Sequence, residues 1–303
     1  MCFFLTGAET LAMPTNMAEE IIGGYKLVNV LANYHSSQIW EVAEVVGHRH
    51  FAMKLLLPEK VRDAEQRRLL IHEGTVGKEL SHPNILKVIQ VSKDSKNPFV
   101  LTELFPVLSL KHRILRKQFD FIKQHAQNIF VLAAKAMGYM NAKGWVHRDI
   151  KPDNILVSNG GDVRISDFAL AQKIQKASFF SSWFKKKGLT QGTRSYMSPE
   201  QIRGEDLDGR ADIYTFAASM YEVVTNRPPF RAGSNQELLT KHITEKPVSP
   251  QAHNPDLTDE FSELVLQMLA KKREQRPADF NQVLMKLQKI RVYKSGAAAK
   301  TEE

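Results

Sequence analysis

Residues Trp145–Val157 read WVHRDIKPDNILV, and the reading of this stretch decides the fold. His147, Arg148, Asp149, Lys151 and Asn154 crowd a carboxylate, two cations and a side-chain amide into eight positions. An apolar helical pattern precedes them and the apolar run Ile155–Val157 follows. A loop held by rigid flanks can aim several polar groups at one point. The fixed letters H-R-D-x-x-x-x-N would arise by accident in roughly one chain per thousand of this length, given average residue usage. An incidental polar loop is therefore a weak account, and the rest of the chain has to supply the parts such a loop would serve.

The chain has 303 residues, enough for about two domains. Its 43% hydrophobic and 25% charged residues are globular values. The single cysteine, Cys2, excludes an internal disulfide and a cysteine-based zinc site. It fits a reducing compartment, and a cytoplasmic location is expected. A net charge of +9 suits an anionic ligand, a nucleic acid or an anionic membrane equally well. No apolar run approaches the roughly 18 residues a membrane helix needs. Residues 1–22 lack a basic start followed by a long apolar core, so they read as a flexible tail rather than a signal peptide.

Tyr25–Leu31, Gln38–Val46 and His50–Leu57 read as three strands, and Ile85–Val91 and Pro98–Leu104 as two more. Alternation puts Ala52 and Lys54 on one face of the third strand. A lysine in the apolar run FAMKLLL needs an anionic partner, or else snorkels at a strand edge. The helical pattern from Glu59 to Leu80 offers that partner: Leu69, Glu73, Val76 and Leu80 share its inward face. Gly74 and Gly77 each cost that helix roughly 1 kcal/mol relative to alanine, so a mobile helix is expected.

From Phe119 to Lys143 the stripe Ile122, Ala126, Ile129, Phe130, Ala133, Met137, Met140 predicts a long helix, stopped by Gly144. A short hairpin, Ile155–Ser158 with Asp162–Ser166, comes before Asp167-Phe168. Residues 170–195 have no clear period and read as a long surface loop holding Ser178, Ser181, Ser182 and Thr190. Helices over 210–225, 235–244, 258–270 and 279–292 make the second half helical, and 293–303 reads as a disordered tail.

In this order the parts resemble a eukaryotic-type protein Ser/Thr kinase catalytic domain, most like its bacterial members, over about residues 24–292. The stretches QGTRSYMSPEQI and DIYTFAASMYEVVTNRPPF carry the bacterial likeness. The resemblance implies an α+β, two-lobed kinase fold. A five-stranded antiparallel sheet with one helix would span 23–105, and a mainly helical lobe 106–292. It also implies site residues. Lys54 matches the strand lysine that grips the nucleotide phosphates, and Glu73 its helix partner. Asp149 matches the catalytic base, Asn154 and Asp167 the Mg²⁺ ligands, and Lys151 the residue that steadies the transferring phosphoryl. Leu31, Ile39, Ala52 and Leu156 would line the adenine site, with Thr102 as gatekeeper and the backbone of Glu103 and Phe105 binding the base. Thr193 would lie beside the protein substrate, and Glu200 would pair with Arg276.

ATP and Mg²⁺ are the implied cofactors, and proteins bearing Ser or Thr the implied substrates, with phosphorylation of the chain itself between Ser178 and Thr190. No nucleic acid is expected as partner, and the oligomeric state is open. The chain departs from the pattern in its phosphate loop, where Ala32-Asn33-Tyr34-His35-Ser36-Ser37 replaces all three glycines of G-x-G-x-x-G. Those glycines allow close backbone approach to phosphate. Alanine also replaces glycine in Asp167-Phe168-Ala169, and Ser198 replaces alanine in the Ala-Pro-Glu motif. Two other functions stay open at this point. One is a pseudokinase scaffold with weak nucleotide binding. The other is an anionic lipid or nucleic-acid binder using the basic aromatic loop Ser178–Lys187.

Overall fold

Alternation along the third long strand sorts its side chains. Met53 and Leu55 turn to one face and join Leu27, Trp40, Val42, Phe99 and Leu101 in a closed apolar core, while Ala52 and Lys54 take the other face. The computed structural model that shows this describes residues 20–174 and 193–294. It divides into two compact units. The first is Met1–Ser81 with Leu86–Pro106 and Phe168–Leu170, and the second is His82–Ile85, Val107–Asp167 and the chain from Ala171 on.

In the first unit six strands form one antiparallel sheet: β1 (Ile21–Ile22), β2 (Tyr25–Asn33), β3 (Ser37–Glu44), β4 (His50–Leu56), β5 (Val88–Ser92) and β6 (Phe99–Glu103). Their order is β1-β2-β3-β4-β6-β5. Five of these strands match the expectation from sequence, and β1 is an addition. Ile21 and Ile22, read as tail, pair with Lys26 and Tyr25 across Gly23-Gly24. Both glycines have positive φ, +59° and +88°, as a two-residue hairpin turn demands. A Cβ on Gly23 would also stand 2.6 Å from the Phe99 ring.

Helix α1 (Ala64–Glu79) packs on β5 and β6. It starts later than the periodicity predicts, because a 3₁₀ turn at Pro58–Lys60 intervenes and Asp63 caps the helix by accepting from the Glu65 and Gln66 N–H groups. Gly74 and Gly77 have a different role from the one read in the sequence. Both are buried, and a Cβ would come within 2.6 Å of Val91 Cγ2 at the first and 2.3 Å of Val88 Cγ2 at the second. They are the places where the helix backbone closes onto the sheet.

The second unit is mainly helical: α2 (Leu110–Leu115), α3 (Phe119–Ala142), α4 (Pro199–Arg203), α5 (Gly209–Thr225), α6 (Asn235–Thr244), α7 (Asp259–Met268) and α8 (Phe280–Lys289). All seven predicted inward residues of α3 are buried. The centre is α5, buried on every side from Ala211 to Val224. Phe216 on it meets Phe130 of α3 and Phe280 of α8, and Phe130 stacks on Phe261 of α7 with ring centres 5.9 Å apart. Two small sheets carry the loops. Strands β10 (Val163–Ile165), β9 (Ile155–Val157) and β7 (Leu108–Ser109) form one, and β11 (Gln172–Lys173) with β8 (Trp145–Val146) forms the other. The chain remains ordered past Val292: Tyr293 bridges Leu257, and the Lys294 N–H donates to Asp256 O at 2.8 Å. Ser178, Ser181, Ser182, Thr190 and the basic aromatic loop lie outside the described residues.

Candidate active site

The stretch from His147 to Asn154 connects β8 to β9, and α5 holds it from below. Asp212, in the first turn of α5, is fully buried. Its Oδ2 accepts from the backbone N–H of His147 (2.9 Å) and from Asn141 Nδ2 (3.0 Å), and its Oδ1 accepts from the N–H of Arg148 (2.9 Å). These bonds hold Arg148 at φ +71°, a left-handed conformation unusual for a side-chain-bearing residue. Gln201 Nε2 donates to Arg148 O and Ser219 Oγ to Ile150 O, which ties these two carbonyls to α4 and α5.

On this support the expected catalytic groups converge. Lys151 Nζ donates to Asp149 Oδ2 at 2.7 Å. Asn154 Nδ2 donates to the Asp149 carbonyl at 2.8 Å and to its Oδ2 at 3.3 Å. Asp149 Oδ1 accepts nothing among the described residues, so one carboxylate oxygen stays open. Burial pushes the Asp149 carboxyl up to about 6; the Lys151 charge opposes this and the Asp167 charge adds to it. For Lys151 burial works downward, but Asp149 and Asp167 outweigh it and the ammonium is held above its usual range. The result near neutral pH is an ionised carboxylate beside a firmly charged lysine.

Asp167 follows β10 at φ +67°. Its predecessor Ser166 donates its N–H to Asn154 O at 3.0 Å, and His147 Nε2 lies 3.2 Å from Ser166 O. The two expected metal ligands thus sit on adjoining, mutually bonded backbone. The amide nitrogen of Asn154 is turned inward to Asp149, so its Oδ1, which has no donor among the described residues, is the atom left for a cation. An amide oxygen and a carboxylate are hard donors that suit a magnesium ion carrying phosphate and water.

The first unit places its own expected residues on one sheet face. Ile39 stands directly across from Lys54, and Ala52 from Thr102. Lys54 Nζ donates to Glu73 Oε2 of α1 at 2.6 Å. Leu31 is half-buried on β2, and Glu103 ends β6, its N–H on Lys87 O at 2.9 Å, with Phe105 two residues on. Leu156 is in the second unit, half-buried on β9. In the turn that lacks glycine, Tyr34 N–H donates to Ser37 O at 2.8 Å. Gln38 braces it, donating to Asn33 Oδ1 (2.8 Å) and accepting from Trp40 Nε1 (3.3 Å).

Further motif residues take defined places. Arg276 makes a two-pronged, fully buried pair with Glu200, 2.5 and 2.9 Å. Ser198, the departure from Ala-Pro-Glu, caps α4 in a reciprocal capping box with Gln201. Arg148 donates from Nη1 to Gln172 Oε1 at 2.7 Å, and burial lowers its guanidinium to about 10, with Asp212 opposing. Asp212, Gln201 and Ser219 were missed in the sequence. The available signal was an acidic residue at the head of an apolar helical run, in GRADIYTF.

Residues 25–287 match the protein kinase domain family. The chain belongs to that family. Among curated relatives, this kinase domain is 29% identical over 256 residues to the serine/threonine-protein kinase PknB of Mycolicibacterium smegmatis, covering 83% of this chain and 40% of the relative. It is 27% identical over 270 residues to a probable serine/threonine-protein kinase of Clostridium acetobutylicum, covering 88% and 40%. The chain thus spans about 40% of the length of the relatives it matches. The solved PknI kinase domain of Mycobacterium tuberculosis shares the fold, with TM-score 0.67 over 90% of this chain and 97% of that one at 20% identity. The α+β kinase fold expected from the motifs is the observed one.

Proposed function

We propose that this kinase domain is a serine/threonine protein kinase that transfers the γ-phosphoryl of ATP to protein hydroxyls. The observation that carries the reading is Asp149: buried, ionised at neutral pH, oriented by Lys151 and Asn154, and left with one open oxygen. Such a group accepts the proton of an attacking hydroxyl, and the rest of phosphoryl transfer is positioning and charge stabilisation. Lys54 would hold the nucleotide phosphates while Glu73 fixes its ammonium. Lys151 would balance charge on the moving phosphoryl. Asn154 and Asp167 would hold Mg²⁺, which when bound neutralises phosphate charge. Leu31, Ile39, Ala52 and Leu156 would flank adenine, with the Glu103 and Phe105 backbone on its edge.

The relatives are named as Ser/Thr kinases, which supports transfer over a purely scaffolding role. The cytoplasm, where ATP is available, is the proposed place of action; among the described residues no helix is long and apolar enough to cross a membrane. Self-phosphorylation between Ser178 and Thr190 is part of the proposal, because an arginine buried beside the base, Arg148, suits pairing with an anion. The test is incubation with γ-labelled ATP, magnesium and a generic protein substrate, beside Lys54→Met. Label in the substrate with wild type and none with the variant is expected; equal labelling by both would overturn the assignment.

A further inference from the structure

Tyr34 stands at the second of the three phosphate-loop positions where the family pattern has glycine. Its ring lies over the lysine expected to meet phosphate: Lys54 Nζ is 5.9 Å from the ring centre, within reach of a cation–π contact. Burial does not force this placement, since Tyr34 is 43% exposed. The backbone aims it. The Tyr34 N–H is bonded to Ser37 O, and the Asn33–Gln38–Trp40 chain of hydrogen bonds fixes both ends of the turn. The same ammonium is held by Glu73.

From this geometry we infer that Tyr34 is a positioning residue that sets the affinity for the triphosphate. Its π face covers the Lys54 ammonium, and phosphate oxygens have to displace the ring to bond the lysine. The inference deepens the kinase reading and rests on it. A glycine at this position lets backbone approach phosphate and opposes nothing. Tyrosine adds a competitor for the cation instead. Charge-assisted bonds from a phosphate are stronger than a cation–π contact, so the nucleotide wins, at reduced net affinity. The effect concerns charge alone, so it bears on ATP and not on adenosine.

The test uses the whole chain and measures dissociation constants for Mg-ATP and for adenosine by calorimetry, with KM and kcat alongside. Wild type is compared with Tyr34→Phe, Tyr34→Leu and Tyr34→Ala, each shown by melting to be folded. Leucine keeps bulk but has no π face, so it separates covering from cation–π contact and does not depend on the alanine variant. Leucine and alanine are expected to tighten ATP about two- to thirtyfold, the scale of one lost cation–π contact. KM should fall in parallel without a matching rise in kcat. Phenylalanine should retain the weaker affinity, and adenosine should bind all four alike. Leucine that binds ATP like wild type, ATP weakened in either variant, or adenosine shifted as much as ATP would each overturn the inference. Wild type that binds neither ligand would sink the kinase reading itself, whereas normal ATP binding with no response to leucine sinks only the role of Tyr34.

Discussion

The catalytic loop and the phosphate-loop turn belong to different units and are held by opposite means. His147, Arg148, Asp149, Ile150 and Asn154 are all buried, and their backbone is bonded to carboxylate, amide and hydroxyl groups of α4 and α5. Tyr34 and His35 are exposed, and a partly buried run of side-chain hydrogen bonds through Gln38 stiffens their turn. The difference follows from what each segment contributes. In the first the proposed chemistry rests on the side chains themselves, and there the residue types of the family pattern stand unchanged. In the second the family uses backbone, which glycine merely exposes, and here side chains have taken over the shaping of the turn.

The largest effect expected is on the catalytic loop. Asp149→Asn removes the proposed proton acceptor while keeping size and the bonds to Lys151 and Asn154 nearly intact. Transfer should fall at least about a hundredfold, the scale of a positioned general base, with melting temperature little changed. Near-normal turnover would mean that the buried carboxylate serves only the architecture of its unit.

Next comes the support beneath that loop. Asp212→Asn leaves one acceptor oxygen where three N–H donors now converge, and turns an N–H donor toward one of them. Losing the charge and at least one of these buried bonds should destabilise the protein by about 3 kcal/mol, read as a shift of the denaturant midpoint. It should also lower turnover, because Arg148 would no longer be held at positive φ. If stability were unchanged, the view that α5 fixes the loop from below would be wrong.

How much of this was legible in the sequence differs between the two regions for the same reason. The catalytic loop, the Lys54–Glu73 pair and the long helices could be read because side-chain type and period carry that information. The kinase resemblance then ordered the pieces. Asp212 escaped because one acidic letter at a helix start reads as an ordinary favourable charge, and only three-dimensional packing shows that it faces backbone donors. The Gly23-Gly24 hairpin escaped although its signal was present, two glycines between apolar residues. Gly74 and Gly77 were seen but misjudged: local propensity treats glycine as a weakness, while packing uses it as space.

That last contrast gives a test with opposite signs. Helix propensity alone predicts that Gly77→Ala stabilises α1 by roughly 1 kcal/mol. The structure puts the new Cβ 2.3 Å from Val88 Cγ2 on the adjoining strand, so the helix or the strand has to shift. Overpacking of this kind destabilises by about 1–3 kcal/mol. A fall in the denaturant midpoint is expected, together with weaker Lys54–Glu73 pairing as α1 is pushed off the sheet. A rise would restore the account of a mobile, propensity-limited helix.

The smallest effect belongs to the phosphate-loop turn. Gln38 links Asn33 to Trp40 with two hydrogen bonds, both only partly buried. Water can replace much of what Gln38→Ala removes, so the loss of stability should stay near 1 kcal/mol or below, the net worth of such bonds. The local consequence is more informative than the global one. Trp40 keeps its burial in the core, so the strand stays in register, but Asn33 loses its partner and the turn gains freedom. Hydrogen exchange at the Tyr34 and His35 amides should speed up while the amides of β4 stay protected. If the turn is held by side chains in place of glycine geometry, this one substitution loosens it. Unchanged exchange would show that the Tyr34–Ser37 backbone bond suffices, and that the amide chain is only surface decoration.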